Sequence, residues 1–435
     1  MQRSRHGRTV ESRAAGQAAR PGRAKQRAFM IAALPEGDDL GELSELLDTA
    51  GVGVVGQAVQ HRELPHPNTY LGPGKLLEVK EQAKAADANL IACDDELSPR
   101  QERNLEKELG MPVVDRTTVI LDIFAGHAHS AEGKLQVELA QLEYNLARMR
   151  GLWTHLERLG GGIGTRGPGE TQIETDRRLA RDRIAALKRK LAEVKSSRAV
   201  MRAERERAHL PEVALAGYTN AGKSTLLNAL TGSEVGVRDR LFHTLDPNTR
   251  ATRIDGRPFL MTDTVGFIRK LPHQLVEAFG ATLEETRLAD LVLHVVDASS
   301  HEDEMVDMLR AVDAVLEDIG AGDRPRILVL NKADALDADR REELLHRHRD
   351  GVLVSALTGE GLDALRDRLA EEFRATLRPV DLLLPFDQGG RLAELHEVAG
   401  DLERTDTADG VRVRARVPQT VAERFARFAV TNGHA

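Results

Sequence analysis

The chain has 435 residues, of which 41% are hydrophobic and 30% are charged, and its net charge is −8. This length predicts two or more domains. The single cysteine, Cys93, excludes a disulfide framework and favours a reducing compartment, so we expect a cytoplasmic protein. No apolar run approaches the length of a membrane span.

The charge is distributed unevenly along the chain. Residues 1–27 carry eight Lys or Arg and one acid, and residues 132–209 carry seventeen Lys or Arg and eleven Asp or Glu. Two basic segments on an acidic protein indicate contact with a polyanion, although a solvated helix face of mixed charge also explains the second segment. Residues 1–27 lack an apolar core, which leaves a disordered basic arm or an organelle transit peptide.

Short apolar strands alternate with helical segments in residues 28–131. The predicted strands cover residues 28–34, 53–60, 89–93 and 112–115, and the predicted helices cover residues 40–50, 74–86 and 99–109. This alternation predicts a small α/β domain with a largely parallel sheet. The turn Gly72-Pro73-Gly74-Lys75 precedes a helix, where a phosphate could bind, but we favour the interpretation as a tight turn with an exposed lysine.

Two apolar stripes with a spacing of three and four residues predict an antiparallel helical hairpin over residues 132–209. Residues 160–170 lie between the stripes and contain six glycines, together with Thr165 and Arg166. Such a segment is either a mobile linker or a probe for a narrow RNA site, with Arg166 on a phosphate. The stripes consist of Leu135, Leu139, Leu142, Leu146, Met149, Trp153 and Leu156, and of Ile173, Ala180, Ile184, Leu187, Leu191, Val194 and Met201.

The run Gly-Tyr-Thr-Asn-Ala-Gly-Lys-Ser at residues 217–224 matches the P-loop pattern, between a predicted strand (213–216) and a predicted helix (225–230). Glycines let the backbone N–H groups surround phosphate oxygens, while Lys223 reaches the β and γ phosphates and Ser224 ligates Mg²⁺. The predicted nucleotide-binding residues here are Gly217, Tyr218, Thr219, Asn220, Ala221, Gly222, Lys223, Ser224 and Thr225.

Residues farther along the chain predict that the nucleotide is a guanine nucleotide. Asp263 ends an apolar segment and could hold Mg²⁺ through water, and the N–H of Gly266 could reach a γ-phosphate. Asp334, in the run Asn331-Lys332-Ala333-Asp334, could accept hydrogen bonds from the ring N–H and the amine of guanine, a donor pair that adenine lacks. The segment Ser355, Ala356 and Leu357 could bring a backbone amide to the guanine oxygen.

Several motifs together resemble the HflX GTPases over about residue 29 to the last helix. They are the P-loop, Leu-Phe-His-Thr-Leu-Asp-Pro at 241–247, Asp-Thr-Val-Gly-Phe at 263–267, Asn-Lys-Ala-Asp at 331–334, the glycine-rich run at 160–172 and Tyr-Leu-Gly-Pro-Gly-Lys at 70–75. The resemblance implies a GTPase that binds the large ribosomal subunit and its rRNA in the GTP state and splits or rescues stalled ribosomes. It also implies ATP or RNA at the N-terminal domain. The alternative is an RNA-binding or signalling switch with a non-ribosomal partner.

The resemblance also singles out residues for catalysis. Thr244 is the expected switch threonine and second Mg²⁺ ligand, with Thr249 as the alternative, so the predicted catalytic residues are Lys223, Thr244 and Gly266. Phe267 stands where many GTPases place a glutamine that orients the attacking water, which predicts slow hydrolysis without a partner. Asn220 resembles the asparagine that binds K⁺ in potassium-activated relatives, although a loop hydrogen bond explains it as well.

After residue 378 the pattern is strand, helix, strand, strand, helix, which predicts a small α+β domain without catalytic residues. The predicted organisation is a basic arm (1–27), an N-terminal α/β domain (28–131), a helical hairpin (132–209), a GTPase domain (210–377) and the C-terminal domain (378–435). The GTPase domain should contain a mostly parallel, doubly wound sheet. We expect a monomer.

Overall fold

The computed structural model describes residues 26–35, 39–149, 169–207, 210–233, 241–242, 244–254, 257–270 and 280–430. Within these residues the chain forms three β-sheets, each packed against helices, and one long helix between the first two sheets. Among them no helix is both long enough and apolar enough to cross a membrane. The α/β architecture predicted from the sequence is confirmed.

The first sheet is fully parallel, with strand order β2-β1-β3-β4. Side chains of β1 alternate between two cores: Met30 faces α1 and α4, whereas Ile31 faces α2 and α3. Helices therefore cover both faces, as a buried parallel sheet requires. The elements are β1 (Arg27–Leu34), α1 (Gly41–Thr49), β2 (Gly53–His61), α2 (Pro73–Ala85), β3 (Leu90–Cys93), α3 (Pro99–Leu109), β4 (Val113–Asp115) and α4 (Arg116–His127).

Two features of this part differ from the sequence prediction. Helix α4 was not predicted, because nearly all of its residues from Val119 to Phe124 are apolar and buried, which leaves no helical period in the sequence. Asp115 caps it, accepting a 2.9 Å hydrogen bond from the backbone N–H of Thr118. Strand β1 begins at Arg27, inside the predicted basic arm, and residues 1–25 of that arm lie outside the described residues.

Helices α5 (Ala131–Arg148) and α6 (Gly169–Arg207) pack against each other through the predicted leucine stripes. Glu138 and Glu143 of α5 form ion pairs with Arg183 and Lys188 of α6. Part of the prediction was wrong: Gly169 and Glu170 begin α6 instead of closing a loop. Residues 150–168, with Arg166 and most of the glycine-rich run, lie outside the described residues. The contacting residues are Leu135, Leu139, Leu142, Ile184, Leu187 and Leu191.

The second sheet has the strand order β10-β9-β8-β5-β7-β6, in which only the edge strand β6 runs antiparallel to its neighbour. The carboxyl ends of its parallel strands share one edge, where ligands bind in such sheets. The elements are β5 (Glu212–Gly217), α7 (Lys223–Thr231), β6 (Asn248–Ile254), β7 (Arg257–Asp263), α8 (Gly280–Leu288), β8 (Leu291–Asp297), α9 (Glu302–Asp318), β9 (Arg326–Asn331), α10 (Ala338–Arg347), β10 (Val352–Leu353) and α11 (Leu362–Thr376).

The third sheet is antiparallel with the order β11-β13-β12, which confirms the small α+β unit. Its buried face packs against the last helices around Leu382, Val413 and Phe425. Asp381 on β11 pairs with Arg412 on β13 across the sheet. The elements are β11 (Arg378–Leu384), α12 (Gly389–Val398), β12 (Gly400–Thr407), β13 (Gly410–Val417) and α13 (Gln419–Phe425).

Candidate functional site: a nucleotide pocket at the edge of the second sheet

The P-loop connects β5 to α7 with a backbone that only glycine permits at two points. A β-carbon on Gly217 would overlap the backbone oxygen of Val295 on β8. Gly222 has a φ of +88°, and a β-carbon there would overlap the side-chain amide of Asn331. Helix α7 begins at the next residue, so its free N–H groups point into the loop.

Lys223 is buried beneath this loop. Its Nζ donates hydrogen bonds to the backbone oxygens of Gly217 (3.0 Å) and Tyr218 (2.8 Å). Burial lowers the pKa of Lys223 to about 8, although the carboxylate of Asp263 opposes this shift. A cation held this way lacks a full counter-charge, which makes the pocket suited to an anion such as a phosphate group.

Three oxygen-bearing side chains converge beside Lys223. Asp263 Oδ2 accepts hydrogen bonds from Ser224 Oγ (2.6 Å) and Thr244 Oγ1 (3.0 Å), and the two hydroxyl oxygens lie 2.9 Å apart. Asp263 Oδ1 is buried without a hydrogen-bond partner among the described residues, and burial raises the pKa of this carboxyl group. Hard oxygen ligands with one unsatisfied carboxylate oxygen fit a magnesium ion.

The alternative switch residue, Thr249, lies on β6, where its hydroxyl oxygen is 2.9 Å from that of Thr262 on β7. It belongs to a pair within the sheet, and the structure brings Thr244, not Thr249, to Ser224 and Asp263. Within the described residues no group of three or more His, Cys, Asp or Glu could hold a metal. A metal here would therefore depend on hydroxyl groups and on phosphate oxygens.

The segment 266–270, which we name the second switch segment, lies directly against the P-loop. A β-carbon on Gly266 would be 2.7 Å from Thr219 Cγ2 and 3.2 Å from Lys223 Nζ. The backbone N–H of Phe267 donates to Gly217 (3.0 Å), and that of Thr219 donates to Phe267 (2.8 Å). The Phe267 ring is fully buried in the apolar core and is not exposed in the pocket.

The predicted guanine-binding residues lie at the ends of β9 and β10. Asn331 joins two loops, because its Nδ2 donates to the backbone oxygen of Ala221 (2.9 Å) and its Oδ1 accepts from Ala356 N (3.0 Å). Asp334 is solvent-exposed, and its Oδ1 accepts from Ser355 Oγ (2.5 Å). The amide of Ala356 is thus already engaged, and a guanine contact from residues 355–357 stays a prediction.

Two more predicted residues, Lys332 and Leu357, follow β9 and β10. Lys332 pairs with Asp297 across 2.6 Å and has a left-handed backbone, with a φ of +67°. Leu357 is 78% exposed. The structure therefore groups these residues into a predicted phosphate end around Lys223 and a predicted base end around Asp334, joined by Asn331.

Sequence reasoning missed the part that the N-terminal domain adds to this site. Tyr218 donates a 2.7 Å hydrogen bond to Glu42 Oε2 of α1, and its hydroxyl accepts from the backbone N–H of Arg269 (2.7 Å). Lys270 pairs with Asp94 and Asp95 at the end of β3. Glu42, Tyr218 and Arg269 border a cleft of about 560 Å³ beside Asn220. No local spacing in the sequence signals a pair 176 residues apart.

A strand, P-loop and helix with a buried lysine, a hydroxyl-and-carboxylate cluster and an Asn-Lys-Ala-Asp loop define a P-loop GTPase. Three family models match the chain. They are described as "GTP-binding GTPase N-terminal" (residues 37–125), "GTP-binding GTPase Middle Region" (127–205) and "50S ribosome-binding GTPase" (212–332).

Relatives support the same class. The GTPase HflX of Lacrimispora saccharolytica is 47% identical over 408 residues, covering 92% of this chain and 95% of the relative. The GTPase HflX of Escherichia coli K12 is 44% identical over 388 residues, covering 88% and 90%. The solved structure of a GTP-binding protein from Sulfolobus solfataricus in complex with GDP is 27% identical to this chain. The match covers 80% of this chain and 98% of the other, with a TM-score of 0.42.

The chain belongs to the HflX family of GTPases. The resemblance predicted from the motifs is thereby confirmed. The protein binds GTP and GDP and hydrolyses GTP, and P-loop GTPases as a class use Mg²⁺.

Proposed function

We propose that this GTPase binds the large ribosomal subunit and its rRNA in the GTP state, and splits or rescues stalled ribosomes. The observation that carries the proposal is α6, an unbroken helix of 39 residues and about 58 Å. It carries twelve Lys or Arg against seven Asp or Glu. A long basic helix suits the phosphate backbone of RNA, and the low aromatic content of 3% argues against recognition by base stacking.

We assign the chemistry to positioning and charge neutralisation. Lys223 would contact the β and γ phosphates, and the N–H groups of Gly222 and Gly266 would bind phosphate oxygens. Ser224 and Thr244 would hold Mg²⁺ directly and Asp263 through water, and the bound ion would neutralise phosphate charge. Since the Phe267 ring is buried, the attacking water must be oriented by other groups, so hydrolysis should be slow until a large subunit binds.

Two further parts of the proposal concern other ligands. Asn220 is exposed with a φ of +61°, at the border of the cleft, where its side chain could bind K⁺. The turn at Gly72 opens α2, but Gly72 N donates to Gln60 (2.8 Å) and Lys75 pairs with Glu78 (2.9 Å). ATP or RNA at this turn therefore stays a prediction without further support. We also propose that the protein acts in the cytoplasm as a monomer.

Cosedimentation with purified large subunits tests the main proposal. We expect the protein to pellet with a nonhydrolysable GTP analogue and to stay in the supernatant with GDP or an ATP analogue. The double variant Arg189→Gln, Lys190→Gln removes two exposed charges of α6 and should weaken pelleting. The matched control, Arg310→Gln with Arg349→Gln, removes two exposed charges from the GTPase domain and should pellet normally.

The other candidate function is an RNA-binding or signalling switch with a non-ribosomal partner. It predicts no nucleotide-dependent pelleting with large subunits, and GTP-dependent binding to a different RNA or protein. Equal pelleting with GTP analogue and GDP would contradict the main proposal as well. A split of ribosomes into subunits, followed on a sucrose gradient, then separates subunit binding alone from ribosome splitting.

A further inference from the structure

Asp246 lies two residues after Thr244, and its carboxylate contacts the start of α5, the first helix of the hairpin region. Its Oδ2 accepts hydrogen bonds from the backbone N–H groups of Ser130 (2.7 Å) and His129 (3.2 Å), and its Oδ1 accepts from Ser130 Oγ. Ser130 is the N-cap of α5, because its Oγ accepts from Gly133 N (2.8 Å). Asp246 thus holds the N-cap residue of α5 in place through its backbone and its side chain.

The contact between Asp246 and α5 is so close that it favours glycine at position 133 of the helix. A β-carbon on Gly133, in the first turn of α5, would overlap Asp246 Oδ1. Its backbone φ is not in the left-handed region, so the close approach of Asp246 is the reason that a side chain does not fit. A carboxylate at a helix N-terminus is also favoured by the helix dipole.

Apolar packing holds the same segment against the N-terminal domain. The ring of Phe242 meets that of Phe124 of α4 edge-on, with centroids 4.6 Å apart. Leu241 and Leu245 are buried in the same core, which also contains Val137 of α5. The segment is thus fixed on one side by α4 and α5 and on the other by the hydrogen bonds of Thr244 to Asp263 and Ser224.

We propose that Asp246 is a positioning residue: by anchoring to the N-terminus of α5, it holds Thr244 at the magnesium site and couples that site to the hairpin region. The proposal rests on the proposed role of Thr244 as a Mg²⁺ ligand. Coupling of this kind is reciprocal. Binding of Thr244 at the nucleotide therefore stabilises the N-terminus of α5, and a movement of α5 displaces Thr244.

The first measurement is the binding of a fluorescent nonhydrolysable GTP analogue and of fluorescent GDP over a series of Mg²⁺ concentrations. In Asp246→Ala, the Mg²⁺ concentration for half-maximal binding of the GTP analogue should rise at least about fivefold over the wild type, while the binding of GDP changes little. Asp246→Asn keeps an acceptor and should show a smaller shift. A purely structural role would weaken both nucleotides equally, and that outcome overturns the proposal.

Gly133→Ala approaches the same contact from the helix side and should reproduce the Mg²⁺ shift of Asp246→Ala. Its matched control is Gly126→Ala in α4, where an added β-carbon meets nothing within 4 Å. These variants keep the proposal testable if Asp246→Ala does not fold. A normal Mg²⁺ requirement in Gly133→Ala would contradict the proposal.

Hydrogen exchange supplies a readout independent of nucleotide affinity. Amides of residues 131–137 should exchange more slowly with the GTP analogue than with GDP in the wild type, and this difference should vanish in Asp246→Ala. Equal exchange in both wild-type states would contradict the coupling. Thr244→Ala separates a failure of the proposed Mg²⁺ ligand from a failure of the coupling. An unchanged Mg²⁺ requirement in Thr244→Ala refutes Thr244 as the ligand. A changed requirement in Thr244→Ala but not in Asp246→Ala refutes only the coupling through Asp246.

Discussion

The phenolic hydroxyl of Tyr218 in the P-loop donates its hydrogen to Glu42, a side chain of the N-terminal domain. Glu42 also pairs with Arg269 of the second switch segment (3.0 Å) and with the buried guanidinium of Arg116. Arg116 in turn donates to Asp94 (2.8 Å) and to the backbone oxygen of Arg269 (3.1 Å). One ionic network therefore joins the P-loop, the second switch segment and the first sheet.

Removing the charge of Glu42 should destabilise the protein. Glu42→Gln leaves Arg116, whose side chain is 3% exposed, with an incomplete counter-charge. We expect the free energy of unfolding to fall by about 2–3 kcal/mol, measured by chemical denaturation. Asp48→Asn, on the exposed side of the same helix, is the control and should change it by less than about 0.5 kcal/mol. Equal effects of the two substitutions would contradict the network.

Asp334→Asn tests the base end of the pocket. The amide of asparagine cannot accept both hydrogen bonds from guanine, but it can donate to the additional oxygen of xanthine. GTP should therefore bind about 30-fold to 1,000-fold more weakly, and xanthosine triphosphate should bind more tightly than to the wild type. Calorimetry with both nucleotides measures this exchange. Asp339→Asn, at an exposed position of α10, should keep the preference for GTP.

Thr244 and Thr249 should differ sharply in single-turnover hydrolysis. Thr244→Ala removes a hydroxyl from the cluster with Ser224 and Asp263, so the rate constant should fall about tenfold or more. Thr249→Ala removes a hydroxyl that contacts Thr262 on the neighbouring strand, away from Ser224 and Asp263, and the rate should stay within about twofold. If Thr249→Ala were the slower variant, the assignment of the switch threonine would be wrong.

The role of Asn220 is tested by exchanging the monovalent cation. Hydrolysis should be faster in K⁺ than in Na⁺ at equal ionic strength, and purified large subunits should speed it further. Asn220→Gly removes the side chain and tolerates the φ of +61°, so the K⁺ advantage should disappear without loss of the loop. Equal wild-type rates in both salts would leave Asn220 as a loop residue only.

His294 on β8 predicts a loss of stability in acid. Burial lowers its pKa to about 4, which the nearby Asp313 carboxylate partly opposes. His294 binds a proton near pH 6.5 in the unfolded chain but only near pH 4 in the folded chain. As the pH falls below about 6.5, protonation therefore favours the unfolded chain and the free energy of unfolding decreases. Between pH 7 and pH 5 we expect about 2 kcal/mol of loss from this group in the free energy of unfolding.

His294→Gln should show a flatter decline than the wild type in chemical denaturation at the two pH values. His346→Gln, at an exposed position of α10, should follow the wild-type decline. Parallel curves for His294→Gln and the wild type would show that another group governs the acid response.

The sequence was most informative where the backbone dictates the residue type. Gly217 and Gly222 are predictable because neighbouring atoms exclude a side chain there, and Lys223 follows at a fixed spacing. Helix α4 escaped prediction because it is buried on most sides and shows no period. The contacts of Glu42 with Tyr218 and of Ser130 with Asp246 join residues more than a hundred positions apart, and ordinary polar residues in such pairs leave no local pattern.

Helix α6 has a mechanical consequence. Because it runs through 39 residues without interruption, it behaves as a stiff rod. A tilt of about 5° at one end of such a rod displaces the other end by about 5 Å. Repacking of a few leucines beside α5 would thus be magnified into a movement as large as one helical turn at the far tip.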